Sequence, residues 1–208
     1  SPTIMCKVVL ISGPSRSGKS RLANAVGKHL QGKGRECVVM CQDTYWTGVA
    51  TVKVNGESKV SEEDPSCTNW DRFVQEVIER KATIEATGVL VIEGFQSFHD
   101  KRLVEICDLS FHLDAPKHLI AQRRSACGTA DQPNPHPKSV DYCDTILWPT
   151  HEKYMRTSVD PLQGIVRLDV SEVPFSDILQ TVLSELDTAP QEPCPAYHAA
   201  TAGNFARM

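Results

Sequence analysis

The sequence predicts an α/β protein: a three-layer sandwich in which a five-stranded parallel sheet lies between helices. Two regularities and one motif predict it. Five apolar runs, Lys7–Ser12, Glu36–Cys41, Val89–Glu93, Leu109–Leu113 and Ile165–Val170, have the length of strands covered on both faces. The stretches between them repeat apolar residues at helical spacing, the alternation that builds parallel sheets. Between the first run and the first helical stripe stands a glycine-bounded turn, Gly13-Pro14-Ser15-Arg16-Ser17-Gly18-Lys19-Ser20.

Residues 18–31 put Leu22, Ala25, Val26 and Leu30 on one stripe, and residues 70–85 do the same with Phe73, Val74, Val77, Ile78 and Ile84. Residues 116–126 and 140–157 are expected to be further helices, and Phe175, Ile178, Leu179, Val182, Leu183 and Leu186 mark a last one. Two polar stretches break the pattern. Residues 47–68 and 127–139 are expected to be long loops, a length usually tied to function or disorder. The Ala- and Pro-rich residues after Asp187 are expected to form a loosely ordered tail over 188–208, behind a single domain over 1–187.

Bulk composition narrows the function classes. The chain has 208 residues, enough for one substantial core, with a formal net charge of −4 and no basic block, so nucleic acid and anionic membranes are not expected partners. No apolar run approaches the ~18 residues of a membrane span, and no signal peptide is read at the N-terminus. The eight cysteines form no Cys-x-x-Cys pair. Several lie in or beside apolar segments, so free thiols in a reduced, cytoplasmic compartment are expected.

Residues 13–20 match G-x-x-x-x-G-K-[ST] in full, in the strand–turn–helix setting the motif requires. Backbone N–H groups of such a turn, with the helix N-terminus behind them, form a concave anion site. ATP is the expected ligand, held by Gly13, Ser15, Arg16, Ser17, Gly18, Lys19, Ser20 and Arg21. Lys19 reaches the terminal phosphates, and the Ser20 hydroxyl ligates Mg2+. Two further strands end in acids, Cys41-Gln42-Asp43 and Glu93-Gly94-Phe95. The carboxyl ends of parallel strands converge on the ligand crevice, so both acids are expected at the γ-phosphate, one taking a proton and one supporting the metal.

With the motif, Gln42-Asp43 followed by Tyr45 and Trp46, Trp70-Asp71, Val91-Ile92-Glu93-Gly94-Phe95, Arg123-Arg124-Ser125, Asp141 to Asp144, Trp148-Pro149 and Tyr154 stand in the order seen in nicotinamide riboside kinases. The chain resembles that family, part of the uridine-kinase-like group of P-loop kinases, from about residue 7 to 187. The resemblance implies a P-loop NTPase-type fold with a lid at about 123–139. The implied activity is ATP- and Mg2+-dependent phosphorylation of a ribonucleoside 5′-hydroxyl, as in nicotinamide mononucleotide synthesis for NAD. Residue by residue, it implies Asp43 as base and Glu93 as metal support that shares the base role. It places Tyr45 and Trp70 on the acceptor side, Trp70 against the ring, and gives Asp71 and Arg124 the ribose hydroxyls. Arg123 becomes a lid arginine on the ATP phosphates.

The lid departs from the family pattern. Asp131 stands before Gln132-Pro133 where an aromatic is usual, and no arginine lies between Ser125 and Gln132. Other acceptors, uridine or cytidine among them, remain open. So do a nucleotide-switched binding protein and a degenerate kinase scaffold, although no Asn-Lys-x-Asp guanine motif occurs. A small-molecule nucleoside partner and a monomer or weak homo-oligomer are expected.

Overall fold

The computed structural model describes residues 6–126 and 137–188. Five parallel strands form one sheet: β1 (Lys7–Ser12), β2 (Cys37–Cys41), β5 (Val89–Glu93), β6 (Leu109–Asp114) and β7 (Ile165–Asp169), in the order β2-β5-β1-β6-β7. All five expected strands are present, with ends within one residue of the sequence reading. Register aligns Ile11 with Glu93 and Cys41 with Glu93, so β1, β2 and β5 finish level with one another.

Alternation across the strands divides the core into two layers. Val8, Leu10, Leu90 and Ile92 pack against Phe73, Val74 and Val77 of α2 (Trp70–Thr83) and Leu103 of α3 (Lys101–Glu105). Val9, Ile11, Val89 and Val91 pack against Leu22 and Val26 of α1 (Lys19–Gly32) and Ile178 and Val182 of α7 (Phe175–Thr188). Central strands carry apolar residues on both faces because both faces are covered, which makes them continuous apolar runs rather than alternating ones. The short helix α3 was not expected; Asp100 caps it by accepting the Arg102 N–H.

The stretch 47–68, expected to be a loop, contains a hairpin. Strands β3 (Ala50–Val54) and β4 (Glu57–Ser61) pair antiparallel around Asn55-Gly56. Both turn residues have positive φ, 52° and 84°, the backbone that Asn-Gly adopts with least strain and that matches the twist of a hairpin. Beyond α4 (Lys117–Ser125), the segment expected to be helix over 140–157 is a composite running to residue 159. It consists of α5 (Val140–Tyr142), a π-turn at Cys143–Leu147, α6 (Trp148–Tyr154) and a second π-turn at Met155–Val159. Pro149 has no N–H for the α-helical ladder, and the ladder widens just ahead of it. Most of the expected lid, including Asp131 and Gln132-Pro133, and the expected tail lie outside the described residues. Six cysteines among the described residues are free thiols. No described helix is long and apolar enough to cross a membrane.

Candidate active site

The turn after β1 closes against the neighbouring strand. A Cβ on Gly13 would lie 2.6 Å from the Leu113 carbonyl, and Gly13 holds φ at 147°, so only glycine fits there. Gly18 takes φ 103° at the entry of α1, and no side chain caps that helix. Its first N–H groups therefore stand at the turn, with the positive end of the helix dipole behind them. The buried Ser17 hydroxyl has no protein hydrogen-bond partner, a second sign that the turn is shaped for an anion. Arg16 is held at φ 67°, an uncommon conformation for a side-chain-bearing residue that persists where surroundings impose it.

Lys19 is buried and donates to the Pro14 carbonyl at 2.9 Å. Burial lowers its pKa, opposed chiefly by Glu93 and then Asp43, so both acids lie within electrostatic reach of the ammonium. Ser20 Oγ donates to Glu93 Oε1 at 2.8 Å. A hydroxyl and a carboxylate joined in this way are hard oxygen donors suited to Mg2+. Glu93 also accepts a hydrogen bond from the Cys41 thiol, whose pKa is raised mainly by burial and then by Glu93 and Asp43. Asp43 sits in the 3₁₀ turn Gln42–Tyr45 directly after β2, exposed to solvent. Gln42 anchors that turn: its amide donates to Thr68 Oγ1 at 3.0 Å and accepts the Gln96 N–H at 3.0 Å. A Cβ on Gly94 would collide with the Gln42 side chain and with Ser97 Oγ, so the Glu93-Gly94 corner must turn on glycine. Tyr154 ties the base of the turn to α6, its hydroxyl 2.7 Å from Ser12 Oγ and accepting the Phe98 N–H at 3.0 Å.

The remaining expected residues divide. Arg123 donates to the Arg16 carbonyl at 3.3 Å, which sets it on the phosphate turn. Arg21 instead lies with its guanidinium 3.9 Å from the Phe175 ring centroid, spanning α1 and α7. Tyr45 is taken into the core, stacked on Phe73 at 4.4 Å, with its hydroxyl donating to Glu76. Trp70 is partly buried, its indole N–H donating to the Pro65 carbonyl at 2.8 Å and its ring 5.1 Å from His99. Asp71 and Arg124, expected as a pair, are engaged apart. Asp71 is bound by Arg102 at 2.9 Å on an exposed surface, because it points outward from the first turn of a helix that Asn69 caps. Arg124 faces Glu62 at 3.4 Å and Glu63 at 3.9 Å.

Glu63 is the functional candidate the sequence reading missed. It is 6% exposed, and Gln96 Nε2 donates to its carbonyl at 2.8 Å. Burial raises its pKa to about 7; Arg124 and Lys19 oppose the rise, while Glu62 and Asp43 add to it. The usual value is 4.5. Protonation therefore favours the folded chain: this contribution is complete below pH 4.5 and is lost as the pH rises through about 7. Glu63→Gln mimics the protonated acid, so it is expected to stabilise the ligand-free protein at pH 8, by on the order of 1–3 kcal/mol, and to change little at pH 4.5. Thermal melts at the two pH values check this, and an equal shift at both would exclude the buried-carboxylate account.

On the other side of the turn, an open groove of about 1260 Å³ runs past Leu119, Arg123, His151, Arg167 and Val170, at the carboxyl ends of β6 and β7. His151 stacks on the fully buried His112 at 5.9 Å, and burial lowers both histidines, to about 4 and about 3. They form a neutral wall at neutral pH. Arg167 closes the floor with a two-pronged contact to Asp114 at 2.6 and 2.8 Å.

A parallel sheet in this order, with a glycine-walled anion turn at the end of its middle strand, defines a P-loop α/β fold. The comparisons agree. The chain is 26% identical over 194 residues to human nicotinamide riboside kinase 1, covering 86% of this chain and 93% of that protein. It is 21% identical over 172 residues to a Bacillus cereus uridine kinase, covering 73% and 80%. It is thus a homologue of nicotinamide riboside kinases and uridine kinases. A structure described as a possible uridine kinase from Bacillus stearothermophilus superposes with a TM-score of 0.55 at 18% identity, covering 81% of this chain and 91% of that one, and shares the fold. No protein-family model matches the chain.

Proposed function

We propose that the chain is an ATP-dependent kinase that phosphorylates the 5′-hydroxyl of a ribonucleoside, with nicotinamide riboside as the preferred acceptor. One observation carries the reading: Lys19, the Ser20–Glu93 pair and Asp43 gather at the level carboxyl ends of β1, β2 and β5. The turn 13–20 holds the β and γ phosphates through backbone N–H groups and Lys19, and the adenosine end lies along the groove by Leu119, Arg123 and Val170. Ser20 and Glu93 hold Mg2+, which neutralises charge on the phosphate oxygens.

Asp43 orients the acceptor hydroxyl and takes its proton as the new O–P bond forms. The bond from the γ-phosphorus to the β–γ bridging oxygen breaks, and ADP leaves with that electron pair. The transition state needs positioning and charge neutralisation more than covalent chemistry, and Arg123 beside the phosphate turn supplies further positive charge. Glu63 takes the part expected of Asp71: with Arg124 it offers an acceptor and donors to the vicinal ribose hydroxyls. The choice of nicotinamide riboside is supported by the likeness to nicotinamide riboside kinase 1 over most of both chains rather than by local charge, since Glu62 is paired with Lys138 and Arg124 and the Lys138 ammonium lies 5.3 Å from the Tyr142 ring centroid.

The test is turnover of nicotinamide riboside, uridine and cytidine with Mg·ATP. Nicotinamide riboside is expected to lead in kcat/KM by about tenfold or more. A lead for uridine would move the acceptor to the pyrimidine ribonucleosides. ATP consumption with no phosphorylated nucleoside would refute the kinase reading.

A further inference from the structure

The acceptor-side hairpin runs into Glu62, whose two carboxylate oxygens reach different cations. Oε1 pairs with Lys138 Nζ at 2.5 Å and Oε2 with Arg124 at 3.4 Å. The Glu62 N–H donates to the Tyr142 hydroxyl at 2.9 Å, and the Lys138 N–H donates to the Arg124 carbonyl at 3.0 Å. The residue that follows the hairpin is thereby joined to the end of α4 and to the approach to α5. Lys59, paired with Asp141 at 3.3 Å, makes a second link from the hairpin to α5. The Arg124 side chain is only 15% exposed and that of Lys138 20%, so these pairs are less screened than surface ones. Arg124 stands closer to Glu62, at 3.4 Å, than to Glu63, at 3.9 Å.

We infer that Glu62 is a positioning residue for the acceptor: it draws Arg124 and Lys138 to itself and leaves the Glu63 carboxylate only loosely engaged, open to a substrate hydroxyl. The inference rests on the acceptor reading given above. Without the Glu62 charge, Arg124 turns to Glu63 and forms a tight pair that an incoming hydroxyl must break. Glu63 is faced by Lys19 from α1, Asp43 from the turn after β2, Arg124 from α4 and Tyr142 from α5, with the Cys67 and Cys143 thiols nearby. Of these neighbours Arg124 lowers its pKa most, whereas Glu62 raises it. Removing the Glu62 charge therefore moves the Glu63 titration to lower pH.

The test is Glu62→Gln in the full chain, assayed with nicotinamide riboside and with uridine. The KM for the acceptor is expected to rise about tenfold, with kcat within about threefold and the KM for Mg·ATP within about twofold. The acid limb of the kcat/KM profile is expected to shift to lower pH, which a merely structural role would not produce. Should Glu62→Gln not fold, Glu62→Asp keeps the charge but is one methylene shorter, so its weaker hold on Arg124 and Lys138 is expected to raise the acceptor KM by less, with kcat and the KM for Mg·ATP within the same limits; an unchanged acceptor KM would overturn the inference here too. An unchanged acceptor KM and acid limb would overturn the inference. Equal rises in both KM values with a lowered Tm would overturn it too, by showing a structural role. Active wild-type protein with either result leaves the acceptor reading standing, whereas wild-type protein that phosphorylates neither nucleoside overturns both.

Discussion

Lys19→Met is expected to reduce kcat/KM by at least about 10³-fold while the protein stays folded, the scale on which loss of one preorganised positive group acts. Two features of Lys19 set this expectation. Its ammonium is buried and desolvated, so its attraction for phosphate is far less screened than that of a surface lysine. It is also already aimed, donating to the Pro14 carbonyl within the turn it serves. Positioning costs are therefore met before the nucleotide arrives. The Met side chain preserves the stem that packs in the turn, so the change removes charge and donors but little volume. Its cost to stability is limited by a second effect: deleting a buried cation also removes its desolvation penalty. Circular dichroism melts and steady-state turnover check the two halves separately. A purified Lys19→Met protein retaining a tenth of wild-type kcat/KM would remove Lys19 from the phosphate site. A weaker Mg·ATP affinity is expected beside the lost turnover, because the same ammonium faces the nucleotide before and during transfer.

Much of this architecture was legible in the sequence, and the reasons are specific. The central strands β1 and β5 are buried on both faces, so each reads as a continuous apolar run, whereas the edge strands β2 and β7 are only partly covered and β7 carries the exposed Arg167. The phosphate turn was legible because glycine is required by geometry at Gly13, where any Cβ meets a neighbouring carbonyl. The hairpin β3–β4 was not legible as polar surface, since Thr51, Lys53, Ser58 and Val60 face solvent and bury no core. Its signal was Asn55-Gly56 between alternating residues, a local backbone preference rather than a hydrophobic pattern. Glu63 was hidden for a different reason. It lies in a run of three acids, Glu62-Glu63-Asp64, and each takes a separate role: Glu62 pairs with cations, Glu63 is buried, and Asp64 accepts the Ser66 N–H. Only the approach of Arg124, about sixty residues later in the chain, distinguishes them, and no spacing rule encodes that encounter. Asp71 carried the ribose role only through the resemblance; in the structure Asn69 caps its helix and Asp71 pairs with Arg102.

Asp43→Asn is expected to lower kcat by about 10² to 10⁴, the range a positioned proton acceptor contributes, with the KM for the acceptor changed by less than about threefold. The asparagine amide can still orient the hydroxyl by hydrogen bonding but cannot accept its proton at neutral pH. The split between kcat and KM separates this role from ribose binding, in which KM would carry the loss. Glu93 is the competing base, and its surroundings argue for another task. Glu93 is 3% exposed, and its carboxylate accepts from Ser20 Oγ at 2.8 Å and takes the Cys41 thiol hydrogen bond, so it is already committed within the wall of the phosphate site. Asp43 is the exposed acid of the two, on a turn that Gln42 pins from both sides. Glu93→Gln should therefore raise the Mg2+ concentration needed for half-maximal rate, whereas Asp43→Asn should leave that concentration unchanged. Titrating Mg2+ at saturating ATP in both variants decides between them. If Asp43→Asn turned over at a rate near wild type while Glu93→Gln lost turnover at every Mg2+ concentration, the base would be Glu93.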